Sequence, residues 1–95
     1  ADMNGIMIAP HGTIDGLIGL AAQVQLAATL PKNYIAFEYC VPCHDWWYDI
    51  IDGLPDPIVK NSYIEVWDAP GLGISFNGKA EKYLKEEDKD FFDWF

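Results

Sequence analysis

Apolar residues along the chain fall into short blocks separated by Gly, Pro and Asp, and the blocks change period. Gly5-Ile6-Met7-Ile8-Ala9 is a continuous apolar run stopped by Pro10-His11-Gly12, the pattern of a buried strand. Over residues 14–30, Leu17, Leu20, Ala21, Val24 and Ala28 recur at helical spacing, with only Gln23 and Gln25 polar between Asp15 and Thr29. This predicts a helix packed on several sides, with Thr13 as N-cap, Asp15 in the first turn and Pro31-Lys32-Asn33 as the stop. Tyr34-Ile35-Ala36-Phe37-Glu38-Tyr39, rich in aromatic and branched side chains, predicts a second strand. A strand, a helix of about 17 residues and a strand form a βαβ unit with parallel strands.

Beyond this unit the pattern loosens. Asp45 is the expected N-cap of a short helix through Trp46, Trp47, Tyr48 and Ile51. Asp52-Gly53-Leu54-Pro55-Asp56-Pro57 is turn chemistry. Ile58-Val59-Lys60 and Tyr63-Ile64-Glu65-Val66, joined by Asn61-Ser62, predict a small hairpin. Pro70-Gly71-Leu72-Gly73 lacks a following Lys-Ser/Thr and is no phosphate loop; its glycines suit a tight chain reversal. A second amphipathic helix is expected from Gly78, with Ala80, Tyr83 and Leu84 on one face and Glu81 four residues before Lys85. The tail from Asp88 mixes acids with Phe91, Phe92, Trp94 and Phe95.

Composition sharpens this picture. The chain has 95 residues, 51% hydrophobic and 15% aromatic. It is one small domain at most, and so many large rings suggest packing against protein outside it. Disorder is excluded by the apolar content. Fifteen acidic groups against six Lys and no Arg give a net charge of −9. Nucleic acid and anionic membrane surfaces are therefore excluded as partners. Residues 1–37 carry only Asp2, Asp15 and Lys32 as charged side chains, as expected of a segment enclosed by other protein. No run reaches the ~20 apolar residues of a membrane span, and no signal peptide is visible. Position 1 is Ala rather than Met, which fits processing or truncation. The expected location is cytoplasmic, since two Cys three residues apart cannot staple a secreted scaffold.

Three groups of residues could carry chemistry. His11 follows the first strand and Glu38 ends the next. Ligands bind at the carboxyl ends of parallel strands, so these two groups would face one pocket. Histidine suits proton transfer near neutrality, and a part-buried Glu can donate as an acid or remain a carboxylate. The competing reading makes His11 a loop contact and Glu38 half of a structural ion pair. Cys40-x-x-Cys43-His44 matches c-type haem attachment, a redox pair and a zinc half-site. Each fits poorly: Met3 and Met7 both precede the motif, zinc has no obvious fourth ligand nearby although Asp45 or His11 could serve, and the helix start falls after the second Cys. An ordinary loop is the remaining reading. Trp46 and Trp47 either line a polar-substrate pocket, with Trp47 as the contact, or serve as core and interface. Ser62 and Ser75 offer no serine triad.

Ile8-Ala9-Pro10-His11-Gly12, the small-residue stretch Leu20-Ala21-Ala22 and Phe37-Glu38-Tyr39 resemble the end of an enolase-superfamily enzyme. The likeness is to the mandelate-racemase branch and its acid-sugar dehydratases, of the gluconate and galactonate dehydratase type. Tyr63-Ile64-Glu65-Val66 and Pro70-Gly71-Leu72-Gly73-Ile74 resemble that branch's C-terminal segment. The resemblance spans roughly residues 5–77, in the family's order.

The resemblance implies an α/β fold: the C-terminal fragment of a (β/α)7β TIM-like barrel, its last two strands with the helix between. Residues 1–51 would end the barrel, and residues 52–95 would join the capping domain. His11 would be the acid/base histidine and Glu38 the acid that bonds the substrate carboxylate or its enediolate. The implied reaction is Mg²⁺-dependent dehydration of a sugar acid, gluconate or galactonate, to a 2-keto-3-deoxy acid through α-proton abstraction. The Mg²⁺ ligands would lie outside this chain, so no metal ligand is expected in it and the chain alone would be inactive. The implied partners are the remainder of the barrel and the N-terminal capping domain, in a homo-oligomer. Gly12 stands where many relatives have Asn. A racemase of the same superfamily, or a stand-alone haem or zinc protein using the Cys40–His44 loop, are the alternatives.

Overall fold

Among the described residues there is one substantial helix, α1 (Gly16–Thr29), where the apolar spacing predicts it. The computed structural model describes residues 1–12, 15–36, 38–41 and 43–84. Leu17, Leu20, Ala21 and Val24 are buried along one face of α1, whereas Ala28 at the end of that stripe is exposed. Asp15 occupies the N-cap position without a side-chain capping bond; the expected cap, Thr13, lies outside the described residues. Leu30 leaves the helix with an extended backbone, as the residue before a proline prefers.

The two predicted parallel strands are reduced to one bridge, Ile8 to Tyr34. The Ile8 amide donates to the Asn33 carbonyl at 2.8 Å and the Ile35 amide donates to the Ile8 carbonyl at 2.9 Å. The ladder stops at both ends for local reasons. Pro10 has no N–H to continue it, and the Ile6 amide is taken by the Ala1 carbonyl at 3.0 Å in the turn around Asp2–Asn4. Asn33 substitutes for a missing rung. It is buried, and its Nδ2 donates to the Ile6 carbonyl at 2.9 Å.

The second helix, α2 (Asp45–Asp49), begins one residue earlier than expected, with His44 rather than Asp45 at the cap position. It also ends before Ile51, which opens β1 (Ile51–Asp52) instead. This strand pairs antiparallel with β2 (Ser75–Phe76), Ile51 opposite Phe76 and Asp52 opposite Ser75. The expected hairpin is present as a tight turn. Lys60 and Tyr63 exchange both backbone hydrogen bonds, at 2.8 and 3.0 Å, across Asn61 and Ser62. Both turn residues have positive φ, 52° and 66°, as in the type I′ turns that match strand twist. The Pro70–Gly73 reversal also forms: the Gly73 amide donates to the Pro70 carbonyl at 3.0 Å. Gly73 has φ 70°, and a Cβ there would lie 2.6 Å from the Trp67 ring, so this position requires glycine.

The expected C-terminal α-helix is a 3-10 helix, Gly78–Tyr83. Its geometry eclipses side chains three apart, which brings Lys79 and Lys82 together over Asp49 of α2. Lys79 Nζ lies 3.2 Å from Asp49 Oδ1, Lys82 pairs with Oδ2, and Tyr83 O–H donates to Oδ2 at 2.9 Å. Asn77 caps the helix by accepting from the Lys79 amide at 3.0 Å and ties it back by donating to the Asp49 carbonyl, also at 3.0 Å. Lys85, the expected partner of Glu81, and the aromatic tail lie outside the described residues.

Lys82, Tyr83 and Lys79, in that order of effect, hold the Asp49 carboxyl far below its ordinary 3.8. A depressed folded value gives stability that is complete above the unfolded pKa and lost as pH falls below it. The melting temperature should therefore fall on acidification below about pH 4. Asp49→Asn should flatten that acid limb, a comparison read by thermal melts at pH 3 and pH 7.

One core joins the elements: Leu17, Leu20 and Val24 of α1, Trp47 of α2, Ile51 and Ile58. Around it the chain exposes 7256 Å², against ~5,500 Å² for a self-contained globule of this mass. Met7, Ile35, Tyr63 and Val66 are among the exposed apolar side chains. Among the described residues, no helix is long and apolar enough to cross a membrane.

Candidate active site

The parallel bridge sets the position of His11 and Glu38. Past the Ile8–Tyr34 rung, the Glu38 amide donates to the Pro10 carbonyl at 3.1 Å, so the residues flanking both chain exits are bonded to each other. The side chains meet as a result, with His11 Nε2 2.9 Å from Glu38 Oε2. Both are open to approach from outside, the His11 side chain 74% and the Glu38 side chain 44% exposed. The two groups expected to face one pocket are thus in direct contact, an imidazole beside a carboxylate at the carboxyl ends of adjacent parallel segments.

Behind Glu38 the surroundings turn apolar. Tyr39, Cys40, Cys43 and Trp47 wall a small cavity closed on the helix side by Leu17, Leu20 and Gln23. Trp47 is only 7% exposed and belongs to the core, whereas Trp46 and Tyr48 are the exposed rings of α2. The Tyr39 and Tyr48 hydroxyls lie 2.8 Å apart. Desolvation pushes the Tyr39 phenol up, and the bond to Tyr39 is the main reason that the Tyr48 phenol is raised further, so both remain protonated donors.

The Cys40–His44 loop is built for packing. Cys40 and Cys43 are both thiols. Cys43 Sγ donates to the Cys40 carbonyl at 2.6 Å, the contact of a local turn. Desolvation, then the Cys43 thiol and the Glu38 carboxylate, push the Cys40 thiol up, the direction opposite to an activated nucleophile. The His44 ring meets Trp47 edge-on at 5.3 Å and stacks near Trp46 at 6.3 Å. Among the described residues, no group of three His, Cys, Asp or Glu is placed to hold a metal ion.

Sequence reasoning missed two positions that organise this region. Asn33 carries the buried bond that replaces a ladder rung, and its only signal was an amide side chain directly before an apolar run. Asp49 gathers three partners from the 3-10 helix; the matching spacing of Lys79 and Lys82 was visible, but their target was not.

Comparison with known proteins agrees with the geometry. Residues 1–80 match the family described as enolase C-terminal domain-like. The chain is 33% identical over 93 residues to the D-xylonate dehydratase of Haloferax volcanii, an alignment that covers 98% of this chain and 22% of that protein. The chain thus spans less than a quarter of the length of the curated relative that it matches. No solved structure matches it significantly. With an imidazole and a carboxylate paired past two parallel segments, and with the family match running through both, the chain belongs to the enolase C-terminal domain-like family.

Proposed function

We propose that residues 1–95 form the closing part of an acid-sugar dehydratase, contributing a proton-transfer histidine and its partner carboxylate. The observation that carries this reading is the 2.9 Å contact between His11 and Glu38. In a family member whose relative is a D-xylonate dehydratase, such a pair at the ends of two parallel segments has the composition of an acid–base site. On this reading Gly5–Ala9 and residues 34–38 are the last two strands of a (β/α)7β barrel, with α1 between them. Residues 52–95 then join the cap over the site. Exposed apolar side chains such as Met7, Ile35, Tyr63 and Val66 then face the rest of the barrel and the cap.

The chemistry follows from the pair. As a carboxylate, Glu38 accepts from His11 Nε2–H, which leaves the Nδ1 lone pair as the base. Nδ1 takes the α-proton of the sugar acid, and the electrons of that C–H bond pass into the carboxylate to form the enediolate. Glu38 stabilises the imidazolium as it forms, and its second oxygen remains to bond the substrate. The imidazolium then protonates the departing 3-hydroxyl, which leaves as water. The resulting enol tautomerises to the 2-keto-3-deoxy acid. Among the described residues no His, Cys, Asp and Glu side chains are grouped to hold Mg²⁺, which prefers several oxygen ligands; on this reading its carboxylates belong to the rest of the enzyme.

The test uses the full-length protein that contains this segment, with Mg²⁺ and a panel of D-xylonate, D-gluconate and D-galactonate in deuterated water. A 2-keto acid should accumulate with at least one of them. Deuterium entering the α-position with inversion and without any keto acid would indicate a racemase. Neither exchange nor keto acid with any sugar acid would overturn the reading.

A further inference from the structure

The residue after His11 is gripped by a side chain that the reaction does not use. Gln23 lies two turns into α1, and its amide rests directly on Gly12. A Cβ at Gly12 would fall 1.8 Å from Gln23 Nε2 and 2.6 Å from Asp15 Oδ2. Asp15 is seated in the same way against Gly19, where a Cβ would lie 2.1 Å from its own Cβ. Asp15, Gly19 and Gln23 are four residues apart in turn, hence on one helix face. Two glycines and two polar side chains therefore interlock beneath the loop bearing His11.

The orientation of the Gln23 amide is fixed by charge. Its Nε2 donates to Asp15 Oδ2 at 3.4 Å, and reversing the group would turn a carbonyl oxygen toward a carboxylate. Oε1 consequently points inward, where it is buried without a hydrogen-bond partner among the described residues. Such an orphan acceptor is disfavoured, and the fold keeps it at this point. The cavity that Gln23 shares with Glu38, Cys40 and Cys43 is about 20 Å³, room for one water and nothing larger. No sugar acid fits in that cavity, so the proposed reaction leaves the inner side of Gln23 to the protein alone.

We propose that Gln23 is a positioning residue for the His11–Glu38 pair. It braces Gly12 from the helix side, while the bond from the Glu38 amide to the Pro10 carbonyl fixes the loop from the other. The consequence for rate rests on the dehydratase reading; the brace itself does not.

The test reads the His11 ring by NMR in the chain labelled at its two histidines, with His44 as the internal control. Glu38→Gln should shift the His11 signals, and the size of that response measures the pair. In a Gln23→Met background, which keeps the bulk but loses the amide, the response should fall to less than about half, while the far-UV circular dichroism is retained. Gly12→Ala keeps Gln23 and displaces its amide, so it should give the same loss and carries the test if Gln23→Met does not fold. In a Gln23→Ala background, Gly12→Ala should add much less than it does alone, since the amide it displaces is already gone and only the Asp15 carboxylate remains to move aside. Undiminished responses in both folded variants, or independent additive effects, would overturn the brace. In the full-length enzyme Gln23→Met should lower kcat about tenfold with KM within about twofold. Dehydration at the wild-type rate in Gln23→Met, alongside a dead His11→Asn, would sink the brace and leave the dehydratase reading standing. A diminished His11 response in a protein that dehydrates no sugar acid would do the reverse.

Discussion

Replacing His11 with asparagine in the full-length enzyme should lower kcat for sugar-acid dehydration by about 10²–10⁴-fold, the usual contribution of a positioned acid–base group. Asparagine preserves the approximate shape and one hydrogen bond to Glu38 but cannot take a proton. The loss should fall on kcat, with KM changed little, because the proton moves only in the transition state. Loss of α-proton exchange in deuterated water should accompany it, since exchange and dehydration share their first step. The side chain is 74% exposed, so the substitution removes no core packing and the fold should be untouched. An unchanged kcat in a correctly folded variant would remove His11 from the chemistry. A large rise in KM at constant kcat would make it a binding residue only.

The largest effect on stability is expected at Trp47. Its ring is 7% exposed and is packed in the cluster formed by Leu17, Leu20, Val24, Ile51 and Ile58. Deleting a buried aromatic side chain costs about 3–5 kcal/mol, from lost transfer energy and the cavity left behind. Small domains hold only about 5–15 kcal/mol in total, so Trp47→Ala should lose most or all of its cooperative thermal transition. Trp46→Ala is the matched control: that neighbouring ring is 41% exposed and packs at the surface against Tyr83, with ring centroids 5.5 Å apart. Its melting temperature should fall by far less. Equal effects at the two positions would mean that the core does not run through Trp47.

Local chemistry made α1 legible, because a repeated apolar stripe followed by a proline determines a helix without reference to neighbours. The Asn61-Ser62 turn and the Pro70–Gly73 reversal were legible for the same reason, both being decided by backbone freedom within four residues. The parallel strands were read as longer than they are. Their apolar runs gave no sign that the turn at Asp2–Asn4 takes the Ile6 amide and that Pro10 ends the ladder, which leaves the single Ile8–Tyr34 bridge. The 3-10 helix at Gly78–Tyr83 could not be told from an α-helix by apolar spacing, since its form follows from a distant carboxylate, Asp49. Of the candidate site, the meeting of His11 and Glu38 was legible from topology alone. Gln23 was not: a polar residue on an apolar helix reads as a solvent-facing exception until Gly12 is seen beneath it.

The hydrogen bond from the Glu38 amide to the Pro10 carbonyl carries one more consequence. Its donor belongs to the residue whose carboxylate meets His11, so this amide proton can be replaced by deuterium only when the two halves of the site separate. Its exchange rate is therefore a clock for site opening, slow where neighbouring protein clamps the pair of segments and fast where this chain stands alone. A protein that docks over the open edge would slow that clock without touching His11 or Glu38, and assembly of the complete site could be timed at one backbone position.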